Sequence, residues 1–457
     1  MPRISPTIFR EYDIRGTVDQ DLDEPAVSLI GKAFGTRIRE AGGRRVVVGR
    51  DTRLSGPRFA RALEEGVTST GIDVLDLGVV PTPLTYFAAH TLDVQGLCMI
   101  TGSHNPPEYN GLKVGRGSAT FHGAEIQGLR TLAESGRFAT GAGHVTQVDV
   151  VAPYQEAVKR NLRCGPRHIK VVVDAGNGTG GVVAVPIFQA LGFEVVPLFV
   201  EPDGNFPNHH PDPTVEENLA ALRAKVLEVG ADLGVAYDGD ADRVGAVDEK
   251  GSVLWGDQLM ILFSRAVLAA EPGAAIVGEV KCSMTLYDDI ARHGGRPIMW
   301  KTGHSLIKAK MREERALLAG EMSGHIFFAH RWFGFDDGIY SSARLLELIT
   351  LGDRTLSAML ADVPRTFATP ELRMDCPEDR KFEVVRQAQE WFKARHDTVT
   401  VDGVRVVFPD GWGLVRASNT QPLLVLRFEA RTRARLEEIE RLVRGRLSEI
   451  LRSVGAA

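Results

Sequence analysis

The chain has no cysteine pair, no long apolar run and no surplus of positive charge, and each absence removes a class of protein. Its four cysteines, Cys98, Cys164, Cys282 and Cys376, stand far apart and form none of the spacings of zinc sites or disulfide frameworks, so they read as buried thiols in a reducing compartment. No stretch of the 457 residues is apolar enough to suggest a membrane span. The opening stretch MPRISPTIFREYDIRG is charged and broken by proline, where a secretory leader needs an apolar centre, so a cytoplasmic protein with no membrane partner is expected. A formal net charge of −5 without a basic run argues against a nucleic-acid partner. Any anionic ligand must then be met by a local cluster of positive groups.

The length exceeds what one core supports; at about 100 to 150 residues per domain it suggests three or four. One pattern recurs: a β-branched run breaks into a turn rich in glycine and aspartate, and helix-like periodicity follows. It appears as RVVVGRDTRLSG (Arg45 to Gly56), KVVVDAGNGTGG (Lys170 to Gly181) and LGVAYDGDADRVGAV (Leu233 to Val247). Strands alternating with helices imply parallel or mixed sheets with helices outside. Polar stretches near Ser135 to Gln147, Lys250 to Ser252 and Val363 to Thr369 suggest boundaries. Past the last, Asp397 to Ala430 alternates like antiparallel strands and Ala434 to Leu451 has helical spacing. The expectation is three related α/β domains with mixed sheets, 1–148, 149–251 and 252–364, and an α+β domain, 365–457.

Five segments carry chemistry. TGSHNPPEYNGLK (Thr101 to Lys113) joins a serine, an imidazole and an ammonium group on a stretch stiffened by two prolines, and reads as a loop throughout. The apolar run Gly96 to Ile100 before it is consistent with a buried strand, so Ser103 should lie past a strand's carboxyl end, where open α/β sheets bind ligands. YDGDADR places Asp238, Asp240 and Asp242 in alternation, able to converge on one hard cation; all-oxygen ligation suits Mg²⁺ better than zinc. Glu249 falls at the spacing of an EF-hand's last ligand, but Arg243 occupies the position that loop reserves for glycine, and an EF-hand is rejected.

GEMSGH (Gly320 to His325) offers Glu321, Ser323 and His325, a donor and acceptor set suited to vicinal sugar hydroxyls and equally to a capping turn. KTGHSLIKAKM adds Lys301, His304 and Lys308. RASNTQP (Arg416 to Pro422) aligns a guanidinium with small polar residues in a turn, a cradle for a phosphate dianion or a plain hairpin. Together they are a parts list for moving a phosphoryl group on a sugar.

Along nearly its whole length the sequence resembles the α-D-phosphohexomutases, and within them the bacterial phosphomannomutase/phosphoglucomutase branch. The likeness runs through FREYDIRG (Phe9 to Gly16), TGSHNPPEYNGLK, DGNFPNHHPDP (Asp203 to Pro213), DGDADRVG, MWKTGHSLIK, GEMSGH, RWFGFDDGIY and GWGLVRASNTQP. The resemblance implies four domains around a central cleft. Ser103 is then the phosphoserine and a metal contact, with Asp238, Asp240 and Asp242 as Mg²⁺ ligands. Glu321 and Ser323 would meet sugar hydroxyls, and Arg416, Ser418, Asn419 and Thr420 the phosphate that is not transferred. Tyr12, Arg15, His104, Lys113, Arg243, Lys281, His304 and His325 match further cleft positions, and Lys113, His304 and His325 are each candidates to accept the sugar proton. The implied reaction interconverts mannose or glucose 1- and 6-phosphates through a hexose 1,6-bisphosphate, with Mg²⁺ as cofactor and glucose 1,6-bisphosphate as activator, in a monomer or weak homo-oligomer. Ala241 stands where many relatives have glycine and fits unless the backbone there needs a positive φ. Met322 stands where phosphoglucosamine mutases, the alternative reading, usually have glutamine.

Overall fold

The computed structural model describes residues 4–418 and 422–455. Its strands form four sheets, and three repeat one design: a parallel set whose last strand turns back into an antiparallel neighbour. In the first sheet the parallel strands Val145–Gln147, Asp73–Val79, Arg45–Arg50 and Gly96–Ile100 are followed by antiparallel Tyr109–Arg116, with Ile14–Thr17 beyond it. In the second, Glu194–Leu198, Lys170–Asp174 and Leu233–Tyr237 lead to antiparallel Val244–Asp248 and Val253–Leu254. In the third, Arg296–Trp300, Ala275–Glu279 and Leu318–Gly320 lead to antiparallel Ile326–Phe328. The fourth sheet is antiparallel throughout, centred on the hairpin Gly411–Ala417 and Leu423–Ala430.

This repeat positions the chemistry. Residues 101–108, 238–243 and 321–325 are all connections from the last parallel strand to its antiparallel neighbour, and in the fourth sheet Ser418 directly follows the strand Gly411–Ala417. Each loop therefore leaves from the carboxyl end of a buried strand; Gly96–Ile100 and Leu233–Tyr237 are buried at every position.

The strand assignments depart from the sequence reading in three places. Thr101 to Lys113 is a loop only to Glu108; Tyr109 to Lys113 is strand, because Leu112 and Val114 alternate into the core while the polar Asn110 and Lys113 are buried against partners of their own. Val145–Gln147, inside an expected linker, pairs with Asp73–Val79, and Val253–Leu254, beyond an expected boundary, closes the second sheet.

One apolar core, including Val47, Leu84, Val173, Val235, Ile276, Leu318 and Ile339, runs through the first three sheets. The fourth has its own, in which the helix Arg433–Ser453, capped by Thr432, buries Ile439, Val443, Leu447 and Ile450 at helical spacing. Burial of each is worth about 1.5–3 kcal/mol. Val280, Trp412 and Leu414 join the third and fourth sheets, and Arg405 donates to the carbonyls of Val280 and Cys282, both at 2.7 Å. Among the described residues, no helix is long and apolar enough to cross a membrane.

Candidate active site

Ser103 lies on the first of these loops, 2 % exposed and in the left-handed conformation at φ 50°. A non-glycine residue there is strained and must be held by its surroundings. The holder is Arg53, buried on the turn after Arg45–Arg50. Its guanidinium donates to the carbonyls of Ser103 (2.8 Å), Asn105 (2.6 Å), Pro106 (2.6 Å) and Tyr109 (2.8 Å), while Asp51 accepts from Nε at 3.1 Å. Asp51 also accepts from Thr101 Oγ1 at 2.7 Å, which in turn receives the Ser103 N–H at 2.7 Å. Gly102 is needed for this grip: a Cβ there would fall 2.4 Å from Arg53 Cζ.

The second loop brings Asp238, Asp240 and Asp242, all fully buried, against Ser103. Ser103 Oγ donates to Asp238 Oδ2 at 2.8 Å, and a Cβ on Gly239 would lie 2.6 Å from the Ser103 carbonyl oxygen, so this approach needs glycine. Ligand atoms of the three aspartates lie within 4.8 Å of one another, and Asp240 Oδ1 has no hydrogen-bond partner. An orphaned oxygen among converging carboxylates fits a hard divalent cation. Burial and the two neighbouring carboxylates hold the Asp238 carboxyl well above its usual range. Ala241 adopts φ 57°, so the alanine sits where glycine is favoured, at a cost on the order of 1 kcal/mol.

Lys113 Nζ bridges Asp240 at 2.7 Å and Asp242 at 2.5 Å. Burial would lower its pKa, but the carboxylates outweigh burial and raise it. Its geometry is that of a counter-charge to the two carboxylates. His104 Nδ1 lies 3.2 Å from Ser103 Oγ. Arg15 donates to Asn105 Oδ1 at 2.5 Å, on the same loop.

His325 joins the second and third loops: Nδ1 is 2.8 Å from Glu321 Oε2 and Nε2 is 3.2 Å from Asp242 Oδ1, with Arg243 Nε at 3.3 Å. Burial opposes charging of this ring, yet the two carboxylates carry its pKa to about 9. Ser323 Oγ lies 3.2 Å from His325 Nδ1. Glu321 also receives the Gly303 N–H at 2.6 Å. His304, which begins the next helix, stacks on His325 with ring centroids 5.7 Å apart and meets the edge of Tyr12 at 5.2 Å. Burial first, then Lys308 and Lys113, hold His304 well below the usual imidazole range.

Towards the fourth sheet, Asp402 accepts from Thr302 N at 3.1 Å and from Arg416 Nε at 3.0 Å, which aims the Arg416 guanidinium. Lys281 pairs with Glu371 at 3.1 Å and lies 4.0 Å from Glu279. Ser418 is buried beside Arg416, its carbonyl accepting from Lys381 at 2.7 Å. Asn419 and Thr420 lie outside the described residues. A polar chain thus runs from Ser103 through Asp238, Arg243, His325, Glu321, the 302–303 turn and Asp402 to Arg416, touching all four sheets.

The sequence reading missed Asp51 and Arg53, Thr82, whose Oγ1 donates to Asp240 Oδ2 at 2.5 Å, and Asp336, behind His304. The only signal for Arg53 was its place in a turn of the recurring pattern. Nothing local marks Thr82.

Comparison with known proteins gives one answer along the chain. The models of phosphoglucomutase/phosphomannomutase alpha/beta/alpha domains I, II and III match residues 6–139, 152–251 and 255–367, and that of the C-terminal domain matches 371–445. A phosphomannomutase/phosphoglucomutase of Pseudomonas aeruginosa is 48 % identical over 98 % of this chain and 97 % of its own. A phosphoglucomutase of Neisseria gonorrhoeae is 46 % identical over 96 % of both. The crystal structure of a Burkholderia thailandensis protein of the same family, 45 % identical, superposes with a TM-score of 0.93 over 100 % of this chain and 99 % of the other. With four family models matched in order and near-half identity over the whole length, the chain belongs to the phosphoglucomutase/phosphomannomutase family of α-D-phosphohexomutases.

Proposed function

We propose that the protein interconverts hexose 1-phosphates and hexose 6-phosphates of mannose and glucose through phosphorylated Ser103 and a hexose 1,6-bisphosphate. The observation that carries the reading is the 2.8 Å contact of Ser103 Oγ with the buried aspartate trio on a loop held rigid by Arg53. In the first half-reaction the P–Oγ bond of phosphorylated Ser103 breaks as a P–O bond forms to the free hydroxyl of the bound monophosphate. The hydroxyl proton passes to a base, and the electron pair of the broken bond stays on Oγ. After the bisphosphate turns around, the other phosphate returns to Oγ by the reverse of that step. Glucose 1,6-bisphosphate serves as activator by the same chemistry, phosphorylating an unmodified Ser103.

Asp238, Asp240 and Asp242 would hold Mg²⁺, which when bound supplies stabilisation of negative charge on the transferring oxygens. Lys113 offsets the trio's charge, Arg243 pairs with the Asp238 carboxylate that accepts from Ser103, and His104 lies against Ser103 Oγ itself. Lys113, His325 and His304 each lie beside a carboxylate, and the two histidines are the candidates for the proton acceptor. Glu321 and Ser323 meet the 3- and 4-hydroxyls, Tyr12, Arg15 and Lys281 line the sugar's path, and Arg416 with Ser418, Asn419 and Thr420 holds the distal phosphate.

Both orientations of the sugar use one pocket. Recognition therefore rests on the phosphate and the 3- and 4-hydroxyls, which exchange places across a flipped ring, and the 2-hydroxyl that separates mannose from glucose is weakly read. ³¹P NMR assays of mannose and glucose 1-phosphates, with Mg²⁺ and a trace of glucose 1,6-bisphosphate, test this. The kcat/KM values should agree within about a thousandfold, ~4 kcal/mol. A wider gap, or glucosamine 6-phosphate as the best substrate, would contradict the assignment.

A further inference from the structure

The motif DGNFPNHHPDP has no part in the chemistry above, yet it packs against the residue that holds the Ser103 loop. It lies within residues 199–215, which leave the edge strand Glu194–Leu198 of the second sheet and form no strand or helix before Glu216. So long an irregular connection in a packed chain usually has a function of its own. This strap reaches the first sheet. A Cβ on Gly204 would fall 2.4 Å from the Thr52 carbonyl oxygen and 2.9 Å from Arg53 Cα, so the two backbones touch there. Two residues on, the buried Phe206 ring receives the Arg53 guanidinium, with Cζ 5.4 Å from its centroid. Arg53 has already spent its side-chain N–H groups on Asp51 and the four carbonyls of the Ser103 loop. An aromatic ring is the partner such a cation can still use: it attracts the charge, asks for no further hydrogen bond and keeps out water that would compete for those carbonyls.

Phe206 pays for this position with its backbone. It adopts φ 49°, a conformation rare for a bulky residue, and Pro207 restricts it further. Strain of this kind persists only where the surroundings enforce it. On one side Asn177 accepts from the Asp203 N–H and from Asn208 Nδ2, both at 2.8 Å. On the other, His209 Nε2 lies 3.1 Å from both oxygens of the fully buried Asp174, and Nδ1 lies 2.9 Å from the His210 carbonyl. Each of these partners only accepts, so both ring nitrogens donate and the ring is an imidazolium paired with Asp174. Burial opposes that charge, and Asp174 raises the pKa of the ring nevertheless.

We propose that Phe206 is a positioning residue for phosphoryl transfer: it fixes the Arg53 guanidinium that holds Ser103 in its left-handed conformation, and the anchors at Asp174 and Asn177 keep Phe206 in place. It touches neither substrate nor the transferring phosphoryl group and acts through Arg53. The strap thereby ties the serine loop of the first sheet to the sheet that carries the aspartate trio. The inference rests on Ser103 as the phosphoserine.

The test compares Phe206→Leu, Phe206→Tyr, Arg53→Lys and the double variant Phe206→Leu with Arg53→Lys, by steady-state kinetics with glucose 1-phosphate and by hydrogen exchange of residues 102–109. Phe206→Leu should lower kcat by about fivefold or more with KM within about twofold, and should speed exchange in that loop. Phe206→Tyr keeps the ring and should stay within about twofold of the wild type, and the double variant should be no more than about twofold slower than Arg53→Lys alone. If Phe206→Leu fails to fold, Gly204→Ala carries the test: its Cβ pushes the strap off the 52–54 turn with the ring intact, and the same loss of kcat and the same faster exchange should follow. Multiplicative losses in the double variant, equal losses in Phe206→Leu and Phe206→Tyr, or wild-type exchange of 102–109 in both Phe206→Leu and Gly204→Ala would overturn the proposal. A wild type that never gains a phosphoryl group from glucose 1,6-bisphosphate would instead sink the phosphoserine reading, and the exchange rates would still decide whether Phe206 holds the loop.

Discussion

Ser103 Oγ donates a 2.8 Å hydrogen bond to Asp238 Oδ2 although 135 residues separate the two in sequence. The contact places a hydroxyl on one sheet against a carboxylate cluster on the next, and it depends on Gly239, where any side chain would strike the Ser103 backbone. The first three sheets share a core, so this juxtaposition is built into the packing.

Metal removal tests the carboxylate trio. EDTA should abolish turnover and Mg²⁺ should restore it. Because a ligand bound only by the folded chain stabilises it, Mg²⁺ at a hundred times its dissociation constant should add about 2.7 kcal/mol, seen as a raised thermal midpoint. Identical midpoints in EDTA and in Mg²⁺ would count against the site.

Arg53→Lys keeps the charge but loses the planar fork that spans four carbonyls. Amides of residues 102–109 should exchange hydrogen faster, and kcat should fall by about tenfold or more as Ser103 leaves its strained conformation. Exchange and kcat at wild-type values would show that the loop holds itself.

Arg416→Ala should raise KM about tenfold or more and change kcat less, since a charged hydrogen bond to a phosphate that is not transferred is worth about 1.5–3 kcal/mol in both ground and transition states. Steady-state kinetics with glucose 1-phosphate read this split, and an unaltered KM would contradict the phosphate role.

Asp337, the N-cap of the helix Gly338–Thr350, gives stability a pH dependence. Burial, helped by neighbouring Asp336, pushes its pKa to about 7 against hydrogen bonds from Tyr154, Trp332 and the Tyr340 N–H. The folded chain then holds this proton more tightly than the unfolded one, whose carboxyl titrates near 3.9. Its contribution is complete below about pH 4 and is lost as pH rises through about 7. Asp337→Asn should flatten the decline of the thermal midpoint across that range, and an unchanged slope would exclude Asp337 as its source.

What could be read from the sequence and what could not divides by distance along the chain. Asp238, Asp240 and Asp242 were legible because their chemistry lies within one turn, and the strands before Ser103 and Asp238 because apolar runs end there. The strand Tyr109–Arg116 was masked by Asn110 and Lys113, polar groups whose burial makes sense only once Ser55, Asp240 and Asp242 are in place. Arg53 reaches Ser103 across 50 positions and Thr82 reaches Asp240 across 158, and neither has a local signature of that duty. At Ala241 the resemblance to relatives with glycine raises the question of a positive φ, but only the fold, with φ 57°, answers it, since alanine itself announces no backbone conformation.

The central claim, that Ser103 carries the phosphoryl group, is tested most directly by intact-mass spectrometry of the purified chain after exposure to glucose 1,6-bisphosphate. The account predicts a species heavier by one phosphoryl group in the wild type and none in Ser103→Ala. An equally phosphorylated Ser103→Ala, or an active wild type that never gains the mass, would contradict it.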